Sequence, residues 1–420
     1  MSGMTKSYPV PPGYAELDAA ALPRLLADLP GVPERLGGGP DSWSAGEISD
    51  GNMNAVFRVR GPAGSVVVKQ ALPYIRAIGE SWPFPVSRAT FEHRAMIEHA
   101  RHAPGQLPEL IGWREDLALL VMEDLSEHVV LRHALVAGRR FPRLAQDLGR
   151  YLARTLVLTS DHVMTTSQKA RLVEAFAGNS VLSETTQDVV FTGPYWTAPL
   201  NRLTPGQETL AAEFRSDGAL KAAATEMKHI FRSRAEALVH GDLHTGSVMV
   251  RPGDTRVIDP EWAFMGPMAF DIGALIGNLL LAHASQPGHA GDRTDHAEWI
   301  LETVAGLWTV FAGEFRTLAR PDADGTLIPE VAGDGASDAF IDARLRDIFA
   351  ETLGFAGAKM IRRILGISHV EDFEMIADVP TRAACEAVAL RTARRLLLER
   401  RSLSSMAEVA ALARGMSAGG

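Results

Sequence analysis

Alternating and continuous apolar patterns predict short β-strands in the first third of the chain. Residues 55–60 alternate between apolar and polar positions, and the apolar run 66–68 leads directly into Lys69. The residues between them, 61–64, read GPAG and have the composition of a tight turn. A continuous apolar run at 117–121 ends at acidic residues, so the patterns predict a small sheet followed by a hinge.

Helical spacing dominates the remainder of the chain. Six residues fall at i, i+4, i+7, i+8, i+11 and i+12 on one face of a predicted amphipathic helix: Leu144, Leu148, Tyr151, Leu152, Thr155 and Leu156. Further helices are predicted at residues 16–29, 86–102, 210–232, 340–365 and 380–400. The apolar run 272–284 is shorter than the roughly 20 residues that a membrane helix needs. We therefore expect a buried helix with Asp271 as its N-cap, a role that does not exclude a second bond from Asp271 to a neighbouring polar loop.

Two clusters of polar residues lie close together between positions 238 and 264. Residues 240–244 read HGDLH and residues 259–261 read DPE, and a predicted hairpin with a Pro-Gly-Asp turn separates them. The hairpin would bring Asp242 and Asp259 together, and neighbouring carboxylates repel unless a cation lies between them. The pattern predicts a divalent metal site, whereas a single aspartate on such a hairpin would more often be a solvated surface residue.

Lys69 and Glu92 are further candidates for a functional site. A lysine at the end of an apolar strand either reaches solvent at the sheet edge or points into a cleft, where it can hold phosphate groups. Glu92 lies in the helix predicted at 86–102, at a distance that would let it orient Lys69.

Two loops near these residues admit two interpretations each. The polar loop 49–54 is either an ordinary hairpin turn or a phosphate-binding loop that presents backbone N–H groups. Residues 79–85 form a proline-interrupted loop with two aromatic residues, Trp82 and Phe84, which would either fill a core or cover a ligand.

Length and composition limit the classes of protein that fit the chain. At 420 residues the chain suits two lobes that share a cleft, and 46% hydrophobic residues can form a large core. A net charge of −9 argues against a nucleic-acid-binding surface. The single cysteine, Cys385, excludes an intrachain disulfide, and no secretory signal is recognisable at the start, so we expect a cytoplasmic protein.

The order of these features is similar to that of the protein-kinase-like phosphotransferases, and several motifs narrow the resemblance. The motifs are 50–57 (DGNMNAVF), 68–71 (VKQA), 79–83 (GESWP), 240–247 (HGDLHTGS), 259–264 (DPEWAF) and 360–363 (MIRR). They resemble the S-methyl-5-thioribose kinase (methylthioribose kinase) family of the aminoglycoside phosphotransferase superfamily. The resemblance extends from about residue 14 to residue 400.

The resemblance implies an α+β, bilobal protein-kinase-like fold. Residues 1–122 would form a small ATP-binding lobe with an antiparallel sheet, and residues 123–420 a larger, mainly helical lobe for catalysis and substrate binding. The implied reaction is ATP-dependent phosphorylation of 5-methylthioribose at its 1-hydroxyl, in methionine salvage. The implied cofactors are ATP and Mg²⁺, and the implied assembly is a homodimer that engages neither nucleic acid nor membrane.

The same resemblance assigns roles to individual residues. Asp242 would be the catalytic acid that orients the hydroxyl or accepts its proton. The residues implied to bind ATP and its metal are Asn52, Lys69, Glu123, Asp124, Leu125, Asp259 and Glu261, with Asp259 and Glu261 as ligands of Mg²⁺. The residues implied to bind the sugar, in addition to Asp242, are Arg362, Arg363 and Trp82, the last as part of a lid.

Two alternatives stay open at the level of sequence. A kinase for a cationic acceptor, such as an aminoglycoside or choline, would need an acidic or aromatic acceptor site, and the paired arginines 362 and 363 point away from it. A catalytically inactive nucleotide-binding protein would typically have lost one of Lys69, Asp242 and Asp259, and all three are present.

Overall fold

The computed structural model describes residues 7–48, 53–76, 79–320 and 333–418. The strands are β1 (Ser44–Glu47), β2 (Asn54–Arg60), β3 (Ser65–Ala71), β4 (Tyr74–Ile75), β5 (Gly79–Pro83), β6 (Leu110–Arg114), β7 (Leu119–Glu123), β8 (Val129–Val130), β9 (Ala237–Val239), β10 (Val248–Arg251), β11 (Asp254–Val257) and β12 (Phe264–Gly266). The helices are α1 (Leu22–Ala27), α2 (Val32–Leu36), α3 (Arg88–His102), α4 (Leu131–Val136), α5 (Leu144–Val157), α6 (Thr166–Phe176), α7 (Ser180–Phe191), α8 (Glu208–Ser216), α9 (Gly218–Ser233), α10 (Met268–Ser285), α11 (Thr294–Leu318), α12 (Gly333–Leu365), α13 (Glu371–Glu374), α14 (Val379–Glu399) and α15 (Met406–Ala418).

The chain divides into two compact units. Unit 1 comprises Met1–Glu127 and Val257–Trp262, and unit 2 comprises His128–Arg256 and Ala263–Gly420. This division differs from a boundary after residue 122, which would put the acidic segment 257–262 in the second lobe. The segment belongs to unit 1 because its backbone and side chains bond there; the Val257 N–H, for example, donates to the Gln106 carbonyl at 2.7 Å.

Unit 1 is built on a five-stranded antiparallel sheet with the strand order β1-β2-β3-β7-β6. The central strand β3 pairs Val68 with Phe57 of β2 and with Val121 of β7. One face of the sheet packs on α1 and α2 through buried residues such as Leu22. The strands predicted at 55–60 and 66–68 and the turn between them are confirmed, whereas the strand expected from residue 117 begins at Leu119, because Glu115–Leu117 form a 3₁₀ turn.

Two further predictions for unit 1 need correction. The helix expected at 16–29 is limited to α1, because backbone groups of the preceding chain bond to the buried side chain of Gln70 instead of to a helix. That amide accepts from the Leu17 N–H and donates to the Ala15 carbonyl, both at 2.9 Å. Residues 79–83, expected as a loop, form β5, which pairs with β4.

Unit 2 is mainly helical and is organised around α10, whose residues are all buried. α10 packs against α11, α12 and α14. It is the one helix in the described part of the chain that is long and apolar enough to cross a membrane, and its complete burial is that of a core helix, as predicted. The predicted face of α5 is buried as well.

Close packing of α10 on α12 depends on two glycines. A Cβ atom at Gly273 would lie 2.6 Å from the Thr352 carbonyl oxygen, and one at Gly277 would lie 2.9 Å from the Ala356 carbonyl oxygen. Side chains at these positions would therefore push the helices apart. The contact fixes α12, whose last turns carry Arg362 and Arg363.

The helix predicted at 210–232 is two helices. Asp217 interrupts it, because its carboxylate accepts from the Leu220 N–H at 3.0 Å and so begins α9 as an N-cap. The hairpin predicted in the 238–264 stretch is confirmed as β10 and β11, which form a three-stranded sheet with β8.

Candidate active site

Lys69 is the central cation of the unit 1 site. Residues alternate between the two faces of β3, so Lys69 points away from the face on which Val68 packs. Its Nζ donates to Glu92 Oε1 at 2.8 Å and also to Asp259. Burial lowers the pKa of Lys69, but the surrounding carboxylates outweigh this effect, so the net pKa is raised and the side chain stays charged. The expectation that Glu92 orients Lys69 is confirmed.

Three carboxylates surround this lysine. Oxygens of Glu92, Asp259 and Glu261 lie within 4.8 Å of one another. Burial raises the pKa of Glu92, and the charges of Asp259 and Glu261 add to that effect against the opposing charge of Lys69. Clustered carboxylate oxygens are the ligands that Mg²⁺ and Ca²⁺ prefer, so the donor set fits a hard divalent cation.

Asp259 and Glu261 are held in different ways. Asp259 has a φ of 70°, a left-handed conformation that few residues other than glycine adopt and that Asp tolerates better than most. Its side chain is 45% exposed. Glu261 is buried and accepts from Asn54 Nδ2 at 3.0 Å and from Arg88 Nε at 3.1 Å. One acid is therefore accessible to a ligand, and the other is anchored in the core.

Arg88 is a supporting residue that the sequence analysis missed. It begins α3 and is fully buried, at 0% exposure. In addition to Glu261, its guanidinium donates to Asn54 Oδ1 and to the carbonyl oxygens of Met53, Leu72 and Pro85. The arginine thus joins the strand β2, the start of α3 and the acidic segment.

The residues assigned to adenine binding lie at the end of β7: Glu123 is its last residue, and Asp124 and Leu125 follow it. Glu123 Oε2 accepts from the Glu109 N–H at 3.1 Å, and Asp124 Oδ2 accepts from Ser65 Oγ at 2.6 Å. Leu125 is buried. The carboxylates of Glu123 and Asp124 therefore have partners within the protein. The expected contact of adenine with backbone groups of residues 123–125 stays a prediction.

Asn52 and Trp82 are the remaining predicted positions of unit 1. Asn52 lies outside the described residues. Trp82 is half-buried on β5, and its assignment to a lid stays a prediction. Its neighbour Phe84 is buried, with its ring centroid 6.0 Å from that of Trp262, so Phe84 fills the core.

In unit 2, Asp242 lies in the loop 240–244, which follows β9. The N–H groups of His240 and Gly241 donate to the carboxylate of Asp271 at 2.6 and 3.0 Å. Asp271 was expected as the N-cap of the apolar helix, but α10 begins three residues earlier and Pro267 occupies the cap. The bond to the loop, which the capping assignment left open, is the one that Asp271 makes. Ser247 Oγ adds a hydrogen bond to the Asp242 carbonyl at 3.0 Å.

The carboxylate of Asp242 has a partner at each oxygen. Lys359 Nζ donates to Oδ1 at 3.0 Å, and His244 Nε2 lies 3.4 Å from Oδ2. Burial alone would raise the pKa of Asp242, but Lys359, His244 and Arg363 outweigh it and hold the pKa well below its ordinary value. Burial lowers the pKa of His244 to about 3, so this imidazole is neutral and Asp242 is ionised at neutral pH.

Three arginines complete the surroundings of Asp242. Arg362 and Arg363 come from α12, as predicted, and burial lowers the pKa of both guanidinium groups. Arg362 Nε, Arg362 Nη1 and Arg363 Nε are buried and have no hydrogen-bond partner among the described residues. Arg132 from α4 lies 3.4 Å from His244 Nδ1 and pairs with Asp372 at 3.3 Å. Buried, unsatisfied arginine donors next to an ionised acid are typical of a site that binds an oxygen-rich ligand.

Residues 44–307 match the phosphotransferase enzyme family. Methylthioribose kinase 1 of Oryza sativa subsp. japonica is 42% identical over 94% of this chain and 94% of its own length. The methylthioribose kinase of Escherichia coli O45:K1 is 41% identical over 95% of this chain and 97% of its own length. The chain belongs to the methylthioribose kinase family. It has the protein-kinase-like fold of the phosphotransferases, with an antiparallel sheet near the N-terminus and a larger helical part.

Among solved structures, a choline/ethanolamine kinase family protein from Mesorhizobium loti is 13% identical. It aligns over 94% of this chain and 98% of its own, at a TM-score of 0.42. This likeness is too distant to assign a substrate or a residue.

For this member of the methylthioribose kinase family, the structure brings together the predicted residues of each unit. Lys69, Asp259 and Glu261 meet in unit 1, and Asp242, Arg362 and Arg363 meet in unit 2. Each predicted set has a partner that the sequence analysis missed. For Lys359 a signal was present: it precedes Arg362 and Arg363 by three and four positions and therefore shares their helix face.

Proposed function

We propose that this chain transfers the γ-phosphoryl group of ATP to the 1-hydroxyl of 5-methylthioribose, giving 5-methylthioribose 1-phosphate and ADP, in methionine salvage. Relatives named methylthioribose kinase, 40–42% identical, support this assignment. The observation that carries it is the ionised carboxylate of Asp242, which is buried among Lys359 and three arginines. Such surroundings suit a neutral sugar that acquires a phosphoryl group.

In unit 2, Asp242 orients the sugar hydroxyl and receives its proton. The hydroxyl oxygen bonds to the γ-phosphorus while the bond from phosphorus to the bridging oxygen breaks, and ADP leaves with that electron pair. The unsatisfied donors of Arg362 and Arg363 bind oxygens of the sugar and of the transferred group. Their fixed charges stabilise the negative charge of the transition state without reorganisation.

In unit 1, Lys69 binds phosphate oxygens of ATP, and Asp259 and Glu261 hold Mg²⁺, with Glu92 close enough to contribute. The ion supplies neutralisation of the phosphate charge. Backbone groups of residues 123–125 bind adenine, Asn52 belongs to the nucleotide loop, and Trp82 belongs to a lid that excludes water. Fixed positions and charges, more than covalent chemistry, accelerate phosphoryl transfer.

An acceptor panel tests this proposal. Phosphorylation is followed as ADP release in a coupled assay with methylthioribose, ribose, choline and kanamycin offered separately. We expect efficient turnover with methylthioribose and none with choline or kanamycin, because the cations around Asp242 repel these positively charged acceptors. Absence of ADP release with methylthioribose would refute the substrate, and turnover of choline or kanamycin would favour the other small-molecule kinases.

The assembly and location of the enzyme are part of the same proposal. We expect a homodimer in the cytoplasm that associates with neither nucleic acid nor membrane. The single buried cysteine fits a reducing compartment. Light scattering of the purified chain tests the dimer, and a monomeric mass across the concentration range of the assay would exclude it.

A further inference from the structure

Lys359 has no role in the proposed chemistry, yet it is buried against the acid at its centre. The side chain is 4% exposed, its Nζ donates to Asp242 Oδ1 at 3.0 Å, and Nζ lies 4.7 Å from the ring centre of Phe270. Burying an ammonium group costs free energy unless an opposite charge and good geometry compensate. Lys359 is therefore placed to act on Asp242.

The second partner of Asp242 cannot replace this charge. The Gly246 N–H donates to His244 Nδ1 at 2.9 Å, so Nδ1 is an acceptor and the hydrogen of the neutral ring is on Nε2. That nitrogen lies 3.4 Å from Asp242 Oδ2, a looser contact than the one Lys359 makes with Oδ1. Among the described residues, Lys359 is thus the positively charged side chain that donates a hydrogen bond to the Asp242 carboxylate, whereas His244 is neutral.

On the basis of the proposed function, we infer that Lys359 is a positioning residue. It positions Asp242 for the reaction with the sugar hydroxyl that accepts the phosphoryl group. It fixes Oδ1 of Asp242 and keeps the carboxylate ionised, which leaves Oδ2 to accept the hydrogen bond of the sugar hydroxyl. Without Lys359 the carboxylate could rotate, and burial would favour its protonated form, which cannot accept the hydroxyl proton.

Other charges near Asp242 limit the size of the expected effect. They come from the loop of Asp242, from α4, from α10 and from α12: His240, His244, Arg132, Asp271, Arg362 and Arg363. The arginines continue to favour ionisation when Lys359 is neutral. Asp271 accepts from two backbone N–H groups and, being itself an acid, cannot supply the positive charge of Lys359.

The test compares two neutral variants, Lys359→Met and Lys359→Gln, with a matched control, Lys169→Met. Lys169 is also a buried lysine of unit 2, paired with Asp161 at 3.2 Å, and it lies outside the site. Both changes remove the charge of a buried lysine, but the acid left behind is more exposed in the control, since the side chain of Asp161 is 57% exposed and that of Asp242 is 24% exposed. Steady-state rates with ATP and methylthioribose are measured as a function of pH, and circular dichroism identifies the variants that fold.

We expect kcat of the Lys359 variants to fall about tenfold or more, with KM for methylthioribose changed less than about threefold. The acid limb of their kcat profile should move to higher pH by about one unit or more, because Asp242 loses a charge that favours its ionised form. Lys169→Met should keep kcat within about twofold and leave the profile unchanged.

Three results would overturn the inference: a kcat and pH profile equal to those of Lys169→Met, a loss confined to KM, or a lower kcat with an unshifted acid limb. If Lys359→Met does not fold, Lys359→Gln decides, because its amide keeps a hydrogen-bond donor without the charge. A wild-type protein that does not phosphorylate methylthioribose would instead refute the proposed function.

Discussion

The buried guanidinium of Arg88 is expected to contribute more to the stability of unit 1 than any exposed ion pair. In Arg88→Met the shape is approximately kept, but the Glu261 carboxylate loses the cation at 3.1 Å in a fully buried position. Removal of one partner of a buried ion pair costs about 3–5 kcal/mol, because the other charge remains in a poorly solvating environment. The loss of hydrogen bonds to three carbonyl groups acts in the same direction.

The control is Arg101→Met in the same helix. The Arg101 side chain is 65% exposed and pairs with Glu98 at 3.0 Å. Exposed pairs of this kind contribute about 0–1 kcal/mol, so the control should remain close to the wild type. Urea unfolding of all variants is followed by tryptophan fluorescence, for which Trp43 in the core of unit 1 is a reporter.

The double variant Arg88→Met/Glu261→Met separates pairing from packing. Because it leaves no unpaired charge, its loss of unfolding free energy should be smaller than the sum of the losses of the two single variants by about 1–3 kcal/mol. The reasoning would be refuted if Arg88→Met cost no more than Arg101→Met. It would also be refuted if the double variant were destabilised by the full sum, since Arg88 and Glu261 would then act independently.

Three further predictions concern the reaction. Asp242→Ala should lower kcat at least about 100-fold while the Kd for ADP, measured by calorimetry, changes little; near-normal turnover would exclude Asp242 as the acid. Asp259→Asn should raise the Mg²⁺ concentration for half-maximal rate by about tenfold or more, and an unchanged Mg²⁺ titration would remove Asp259 from the ligand set. Arg363→Met should lower kcat/KM for methylthioribose roughly 10- to 100-fold, whereas the exposed Arg394→Met should leave it unchanged; equal effects would speak against an anion-binding role.

Features that depend on nearby residues were predictable from the sequence. The strands β2 and β3, the buried face of α5 and the hairpin of β10 and β11 each follow from a local period or a turn composition. The pairing of Lys69 with Glu92 was also predicted, since a strand and the helix that follows it soon afterwards have few ways to pack. Local rules failed where a distant side chain supplied the constraint, as Gln70 does for residues 15–17.

The missed residues share a long separation along the chain from the groups they support. Arg88 and Glu261 are 173 positions apart, and Lys359 and Asp242 are 117 apart. Helical spacing places Lys359 beside Arg362 and Arg363, but no periodicity or motif pairs it with Asp242 or pairs Arg88 with Glu261, because these contacts exist only after whole elements have packed. Lys359 reaches Asp242 only because α12 lies directly against α10 at Gly273 and Gly277.

The two predicted sets of site residues have opposite balances of charge. In unit 1 the three carboxylates of Glu92, Asp259 and Glu261 outnumber Lys69 and Arg88, the two cations paired with them, so an added cation stabilises the group. In unit 2 a lysine and three arginines outnumber the carboxylates of Asp242 and Asp372, so an added anion stabilises that group. A phosphotransferase needs both, because it must bind a metal–nucleotide complex and also stabilise negative charge on the group in transfer. Neutralising one residue, as in Lys359→Met, therefore tests the charge balance of unit 2 and leaves the proposed metal ligands of unit 1 unchanged.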